Sequence, residues 1–237
     1  MITIEELKKR NIEINTNVYS AKKNANRDNE TVKVIAVSKT HPTDYIIKAI
    51  DAGINIFGEN YAQEMRDKYL ELENLKIKQP EWHFIGHLQN NKVKYIAPFV
   101  DYIHSVDSLK LAEEINKQAF KNNRKIKIML QLNTSGELSK SGCEPDEALE
   151  IATDILKFTN LELKGLMTIG SFTDDENQQK KEFNILKNSL KEINEKLGLN
   201  LKELSMGMSH DYMNAISEGA TMVRIGTAFF GNRVYNV

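Results

Sequence analysis

The sequence predicts an α/β protein built as a (β/α)8 barrel of the TIM type, with one extra helix at its N-terminus. Three observations lead there. Strand-like and helix-like segments alternate from end to end of the 237 residues. After a leading helix, the alternation repeats through eight strand–helix units. The length matches the ~250 residues such a barrel takes, whereas an open doubly wound sheet alternates similarly but usually with about five or six strands. No low-complexity linker or shift in composition divides the chain, so residues 1–237 read as a single domain.

The elements follow in order. Residues 4–25 form a polar amphipathic helix. The apolar run at 32–37 is the first strand, and Pro42 cannot continue it inside a sheet. A helix spans 43–52, with Thr43 as N-cap and Gly53 just past its end. The second strand is 54–57, with a helix from 60 to 74; the third is 82–85, with a helix near 89–97. The fourth strand, 102–104, leads to a helix at 108–121 capped by Asp107 or Ser108. The fifth, 126–132, is followed by a Gly/Ser-rich loop and a helix at 146–158. The sixth is 163–167, followed by a long helix over 175–197. A short seventh strand, 203–205, enters a helix at 210–218, and the eighth, 221–225, ends in a short terminal helix.

Composition narrows the function classes. Lys plus Arg number 32 and Asp plus Glu 33, so the near-zero net charge argues against a nucleic-acid or acidic-membrane binder. No stretch approaches the ~20 apolar residues of a membrane span. The N-terminus is charged from the start and carries no signal-peptide pattern. Cys143 is the single cysteine, which excludes an intrachain disulfide and suits a reducing cytoplasm. It sits in the loop before a helix and reads as structural rather than nucleophilic.

Lys39 follows the first strand directly, at the end of the barrel where such enzymes keep their chemistry. A lysine there can form an imine if its environment lowers the ammonium pKa; as an isolated residue it reads equally as a solvated surface charge. Ser38-Lys39-Thr40 is not a phosphate-binding Walker loop, because the upstream glycines are absent. At the other end of the chain, Leu204-Ser-Met-Gly-Met-Ser209 leaves the seventh strand and Arg224-Ile-Gly-Thr227 leaves the eighth. Barrels often bind phosphate in these two loops. Gly226 lets backbone approach a ligand, and Ser209 and Thr227 carry hydroxyls, though both residues read equally as helix caps. Arg224 alternates with Met222 and so faces the barrel interior, where a guanidinium needs a partner. Donation from a permanent cation to a pyridine nitrogen would keep that nitrogen unprotonated and the ring a weak electron sink. Lysine in front, with arginine and a phosphate turn behind, suggests pyridoxal phosphate held as a Schiff base.

Other constellations carry less. His83 and His87 lie four apart, but Gly86 and the strand context argue against a shared helical face, and no His-Glu-x-x-His pattern occurs, so no metal site is expected. His83 reads as barrel filling, and His104 as a pocket residue or a satisfied core histidine. Ser209, His210 and Asp211 are adjacent at a helix start and do not face one another as a triad must.

Several segments together resemble the pyridoxal phosphate homeostasis protein family. They are Ile35-Ala-Val-Ser-Lys-Thr40, Phe57-Gly-Glu-Asn-Tyr61 with Gln63-Glu64, and Trp82-His-Phe-Ile-Gly86 with Leu88-Gln89 and Asn91-Lys92. Further on come His104-Ser-Val-Asp-Ser108, Gly165-Leu-Met-Thr168, Leu204-Ser-Met-Gly-Met-Ser209 with Asp211, and Val223-Arg-Ile-Gly226 with Phe230-Gly231. They cover most of the chain in order. The resemblance implies a monomeric fold-type III barrel akin to the N-terminal domain of alanine racemase. It also implies pyridoxal 5'-phosphate on Lys39, its phosphate at Ser209, Gly226 and Thr227, and its pyridine nitrogen facing Arg224. It further implies that Asn60 lies near the cofactor ring and that Met206, with Ser205 beside it, lines the strand-7 side. One departure is His41, where the family commonly has a second lysine; Lys140 matches another family lysine.

The chain runs six residues past Gly231, without room for the added β-domain from which a racemase draws its second base. One open cofactor face and a weak electron sink disfavour efficient racemisation. The expected activity is therefore intracellular buffering or delivery of the cofactor, with apo pyridoxal phosphate enzymes as recipients. The alternatives are a cofactor-dependent enzyme acting on amino acids, such as a weak racemase, and a phosphate-binding barrel enzyme that would leave Lys39 unexplained.

Overall fold

In the computed structural model, which describes residues 2–137 and 139–231, eight parallel strands close into a barrel in sequence order. They are Lys33–Val37 (β1), Ile56–Glu59 (β2), Glu81–Phe84 (β3), Tyr102–Val106 (β4), Ile126–Gln131 (β5), Leu161–Met167 (β6), Glu203–Met208 (β7) and Met222–Ile225 (β8). The ring closes where β8 pairs with β1, with Ile35 opposite Arg224. The helices are Ile4–Asn24 (α1), Thr43–Asp51 (α2), Ala62–Asn74 (α3), Val93–Ile96 (α4), Leu109–Lys121 (α5), Ala148–Ile155 (α6), Glu176–Leu197 (α7), Tyr212–Glu218 (α8) and Thr227–Phe230 (α9). The eight strand–helix units and the leading helix are those the sequence predicts.

Strand alternation sorts the side chains into two layers. Outward residues such as Phe57, Trp82, Phe84 and Ile103 join apolar helix faces in the larger core. Burial of each large apolar side chain there contributes about 1.5–3 kcal/mol. The inward layer is smaller, with Ile35, Tyr102, Met129, Met167 and Met222 as its apolar members. Buried polar side chains, His83, His104, Ser205 and Arg224, share the interior.

The leading helix is bound to the barrel rather than appended to it. Thr3 and Glu6 form a reciprocal capping box at its start. Leu7, Ile14, Val18 and Ala21 are buried along one face, and α1 packs against α2, α8 and α9. Arg10 donates to the Phe229 carbonyl at 2.8 Å, which ties α1 to the end of the barrel that carries Lys39 and Gly226.

Four local expectations are corrected. Pro42, not Thr43, occupies the N-cap of α2, and the Thr43 hydroxyl instead reaches the Glu71 carboxylate on α3. β2 begins and ends two residues later than expected and carries Gly58 and Glu59 into the buried sheet. β7 runs three residues further, to Met208, and includes Gly207 at φ +90, where a Cβ would collide with Ala215 and Tyr212 of α8. Asp211, not Ser209, is the N-cap of α8. No helix among the described residues is long and apolar enough to cross a membrane.

Candidate functional site

The C-terminal ends of the strands surround a cavity of about 370 Å³. Lys39, Asn60, Ser209, Arg224, Gly226 and Thr227 line it. Six of the seven residues singled out for binding from the sequence thus meet in one place. Met206 does not join them. It is fully buried in the layer between barrel and helices, because alternation along β7 turns Ser205 inward and Met206 outward.

Lys39 lies just beyond β1, in a segment held from two sides. Lys68 of α3, only 5% exposed, donates to the Ser38 carbonyl at 2.8 Å and to Glu59 and Glu64 at 2.7 Å each. The Ser38 hydroxyl donates to Glu59 at 2.6 Å, and the Thr40 N–H donates to Glu64. Thr40 has φ +66, a conformation uncommon for a β-branched residue, and this cluster holds it there. Burial pushes the Glu59 carboxyl up to about 7, and the Lys68 ammonium beside it pulls in the opposite direction. Both neighbours of Lys39 are therefore anchored to buried groups on β2 and α3.

Asn60 follows β2 and packs against Gly86, where a Cβ would collide with the Asn60 backbone carbonyl oxygen. This close approach requires glycine at 86 and seats Asn60 at the cavity wall. The Asn60 side-chain oxygen is buried and has no hydrogen-bond partner among the described residues. A buried acceptor in that state costs about 1–3 kcal/mol, so the cavity holds an acceptor that a ligand donor can satisfy.

Across the cavity, the Gly226 N–H donates to the Ser209 hydroxyl oxygen at 3.2 Å. That contact joins the loop after β7 to the turn after β8 and leaves the Ser209 O–H to donate elsewhere. Below this turn, Arg224 is 4% exposed. It donates to Ser205 Oγ at 2.6 Å and to the Thr168 carbonyl at 2.7 Å. No carboxylate bonds to it among the described residues. Burial lowers its pKa to about 10, which still leaves the guanidinium charged at neutral pH, and the field of Asp211 opposes that shift.

The sequence reading passed over the apolar part of the wall: Val37, Ile85, Ile169, Phe172 and Met208. Each follows or ends a strand, a positional signal that could have found them. Phe172 is 86% exposed and tilts against His210 with ring centroids 4.9 Å apart. His41 and His210 also line the cavity. Lys140 donates to the Gly170 carbonyl at 3.2 Å, beside the rim residues Ile169 and Phe172. His83 and His104 are fully buried and hydrogen-bonded, and no cluster of three or more potential ligands that could hold a metal ion occurs among the described residues.

An amine, a pair of hydroxyl-bearing turns, a charged planar donor and an acceptor without a partner thus face one half-apolar cavity. This donor set suits a flat, phosphorylated ligand with a carbonyl carbon for the amine.

Comparison with known proteins places the chain among relatives of one family. The sequence profile described as "Alanine racemase, N-terminal domain" matches residues 12–234. A pyridoxal phosphate homeostasis protein of Pseudomonas aeruginosa is 44% identical over 218 residues, covering 92% of each chain. The structure of PipY from Synechococcus elongatus PCC7942, solved with PLP bound, superposes with a TM-score of 0.82 at 32% identity, covering 95% of this chain and 100% of that one. An alanine racemase of Clostridium difficile 630 shares the fold at a TM-score of 0.74 and 16% identity, over 99% of this chain and 59% of its own.

Proposed function

Because the chain belongs to the alanine racemase N-terminal domain family and, within it, to the pyridoxal phosphate homeostasis proteins, we propose that this cavity binds pyridoxal 5'-phosphate and that the protein serves the homeostasis of that cofactor. It does so as a single-domain monomer in the cytoplasm, holding the cofactor and handing it to apo-enzymes.

One observation carries this reading: the strand-1 lysine, the strand-7 and strand-8 turns and the strand-8 arginine all border the same cavity. The residues fit the group. Lys39 would hold the cofactor covalently, the aldehyde of pyridoxal phosphate being the chemistry that its amine could engage. Ser209 and Thr227 donate hydroxyls to the phosphate, and Gly226 allows its close approach. Arg224 faces the pyridine nitrogen; as a permanent cation with neutral acceptors on its other side, it donates without surrendering a proton. The partnerless Asn60 oxygen accepts a hydrogen bond from the ligand at the cavity wall.

Binding and release, rather than turnover, follow from these residues. An arginine at the nitrogen does not supply the proton that would make the ring a strong electron sink. The test is reconstitution with pyridoxal phosphate, followed by mixing with an apo-enzyme and comparison with free cofactor at equal concentration. A borohydride-stable adduct on Lys39, and activation of the apo-enzyme from the bound pool, are expected. Amino-acid racemisation at rates typical of enzymes would overturn the carrier reading.

A further inference from the structure

Beneath the cavity, a line of polar side chains crosses the barrel interior and has no part in holding the cofactor directly. It begins at Glu81, the first residue of β3, where Lys33 Nζ donates to Oε1 at 2.9 Å. The same oxygen lies 2.9 Å from His83 Nε2. His83 Nδ1 lies 2.7 Å from His104 Nε2 on β4, and His104 Nδ1 lies 2.8 Å from Ser205 Oγ on β7. Ser205 Oγ receives Arg224 Nη1 at 2.6 Å on β8. The line therefore runs from the N-terminal mouth of the barrel to the floor of the cavity. His83, His104 and Ser205 are each completely buried.

Donor and acceptor rules fix its direction. An ionised Glu81 can only accept, so the His83 proton sits on Nε2 and His83 Nδ1 is bare. A bare Nδ1 requires the His104 proton on Nε2, and His104 Nδ1 is then bare in turn. That nitrogen takes the Ser205 hydroxyl proton. Ser205 Oγ is left to accept, and Arg224, which can only donate, is the group that meets it. The Arg224 end alone would not set this order, because the Ser205 hydroxyl oxygen has a second lone pair that could accept from His104; the direction is set from Glu81. With Glu81 ionised and both rings neutral, no other arrangement avoids two hydrogens or two lone pairs facing each other.

We propose that His83 and His104 are positioning residues: they form a one-way hydrogen-bond line that makes Ser205 a fixed acceptor for Arg224, so the charge at Glu81 on one mouth of the barrel is felt in the cofactor cavity at the other. The part concerning the cofactor rests on the reading of Arg224 given above; the direction of the line does not.

Surrounding groups support the neutral state of both rings. Tyr102 stacks on His83 with centroids 4.7 Å apart and donates its hydroxyl to Glu203 at 3.0 Å. The Lys33 and Lys127 ammonium groups lie over the Tyr102 ring, 5.1 and 4.9 Å from its centroid. Burial disfavours charge on both imidazoles. The fields of Arg224 and Lys33 add to that at His104, whereas Glu81 and Asp101 oppose it at His83. Protonating His83 would place a hydrogen on Nδ1, turn His104 to its other tautomer and aim a second donor at Ser205 Oγ, whose own proton would then lose its acceptor on His104.

The experiment has two arms. First, nitrogen-detected imidazole spectra of the ¹⁵N-histidine-labelled protein without cofactor, between neutral and mildly acidic pH, are expected to show His83 and His104 neutral with the proton on Nε2 in each. Either ring protonated at neutral pH, or carrying its proton on Nδ1, would overturn the proposed direction. Second, release of bound pyridoxal phosphate to a trapping apo-enzyme is timed in Glu81→Gln, Ser205→Ala and Ser205→Thr. Glu81→Gln keeps an acceptor oxygen but removes the charge, so it should give mixed tautomers and speed release several-fold. Ser205→Ala removes the acceptor for Arg224 but leaves Glu81 to set the rings, so it should speed release with the tautomers unchanged, and Ser205→Thr, which restores a hydroxyl, should return release toward the parent rate. Unchanged release in Glu81→Gln despite mixed tautomers would refute the coupling. If Arg224→Ala binds cofactor as the parent does, the placement of Arg224 at the ring fails while the tautomer result still stands, so the two failures are distinguishable.

Discussion

Ser209 Oγ accepts the Gly226 N–H at 3.2 Å, so two loops more than a dozen residues apart in sequence act as one wall of the cavity. A hydroxyl used as an acceptor in this way still has its proton to give. Ser209→Ala combined with Thr227→Ala should therefore weaken pyridoxal phosphate far more than pyridoxal. Each lost hydrogen bond to a charged group is worth about 1.5–3 kcal/mol. Titration of both ligands against the double variant checks this, and equal losses for the two would move the phosphate elsewhere.

Lys39 is flanked by anchored residues but is itself only half-buried. Lys39→Ala should therefore leave the melting temperature within a few degrees of the parent while abolishing the borohydride-stable adduct. The phosphate turns still retain part of the non-covalent affinity. Peptide mapping of the reduced holo-protein gives the decisive readout. A label on any other lysine removes Lys39 from its assigned role.

The contact between Gly86 and Asn60 separates structure from binding. A Cβ at residue 86 would stand 2.6 Å from the Asn60 Cα, so backbone must move. Overpacking of this kind typically costs ~1–3 kcal/mol. Gly86→Ala should lower both the melting temperature and cofactor affinity, whereas Asn60→Ala should lower affinity with little change in melting. A loss of affinity in neither variant would show that the partnerless Asn60 oxygen does not serve the ligand.

What was legible in the sequence depended on how local the physics is. Arg224 and Met222 share the inward face of β8 because strand side chains alternate strictly, and that rule needs no partner. The same rule applied along β7 would have turned Met206 outward. It does not reach that residue because the sequence places the end of the strand at residue 205. β2 was misplaced for a different reason: Gly58-Glu59 reads as a polar turn, yet Glu59 is fully buried because Lys68, on the following helix, compensates its charge. Ser209 has the side chain of a helix cap, but its hydroxyl goes to Gly226, and only the closed barrel brings that residue within reach. The line from Glu81 to Arg224 was invisible for the same reason, since its members come from β3, β4, β7 and β8.

Cys143 is 5% exposed and its N–H donates to the Gln131 carbonyl at 3.0 Å. Burial, reinforced by the neighbouring carboxylate of Glu147, pushes its thiol up to about 12. Thiolate is the reactive form. Labelling by a maleimide or disulfide reagent at pH 7–8 should therefore be very slow in the folded protein and rapid after denaturation. Fast labelling without unfolding would contradict the structural role.

Glu81 supplies the pH test of the fold. Its carboxyl is held down to about 2, first by the hydrogen bond from His83 and then, against the opposing effect of burial, by Lys33. The ordinary value is about 4.5. Above that value the unfolded chain is ionised at this position as the folded one is, and the partners' full stabilisation is present. As pH falls from about 4.5 toward 2, the unfolded state takes up the proton first, so this contribution declines through that window. Glu81→Gln has no carboxylate to protonate, so its stability should lack this component. Urea unfolding of parent and variant at successive pH values gives the difference directly. The gap should be widest at and above pH 5, narrow steadily below it, and nearly vanish near pH 2, while the acid losses common to both proteins cancel. A gap that stays constant across this window would mean that Glu81 is not held in its ionised form by His83 and Lys33, and the anionic end of the line toward Arg224 would be lost with it.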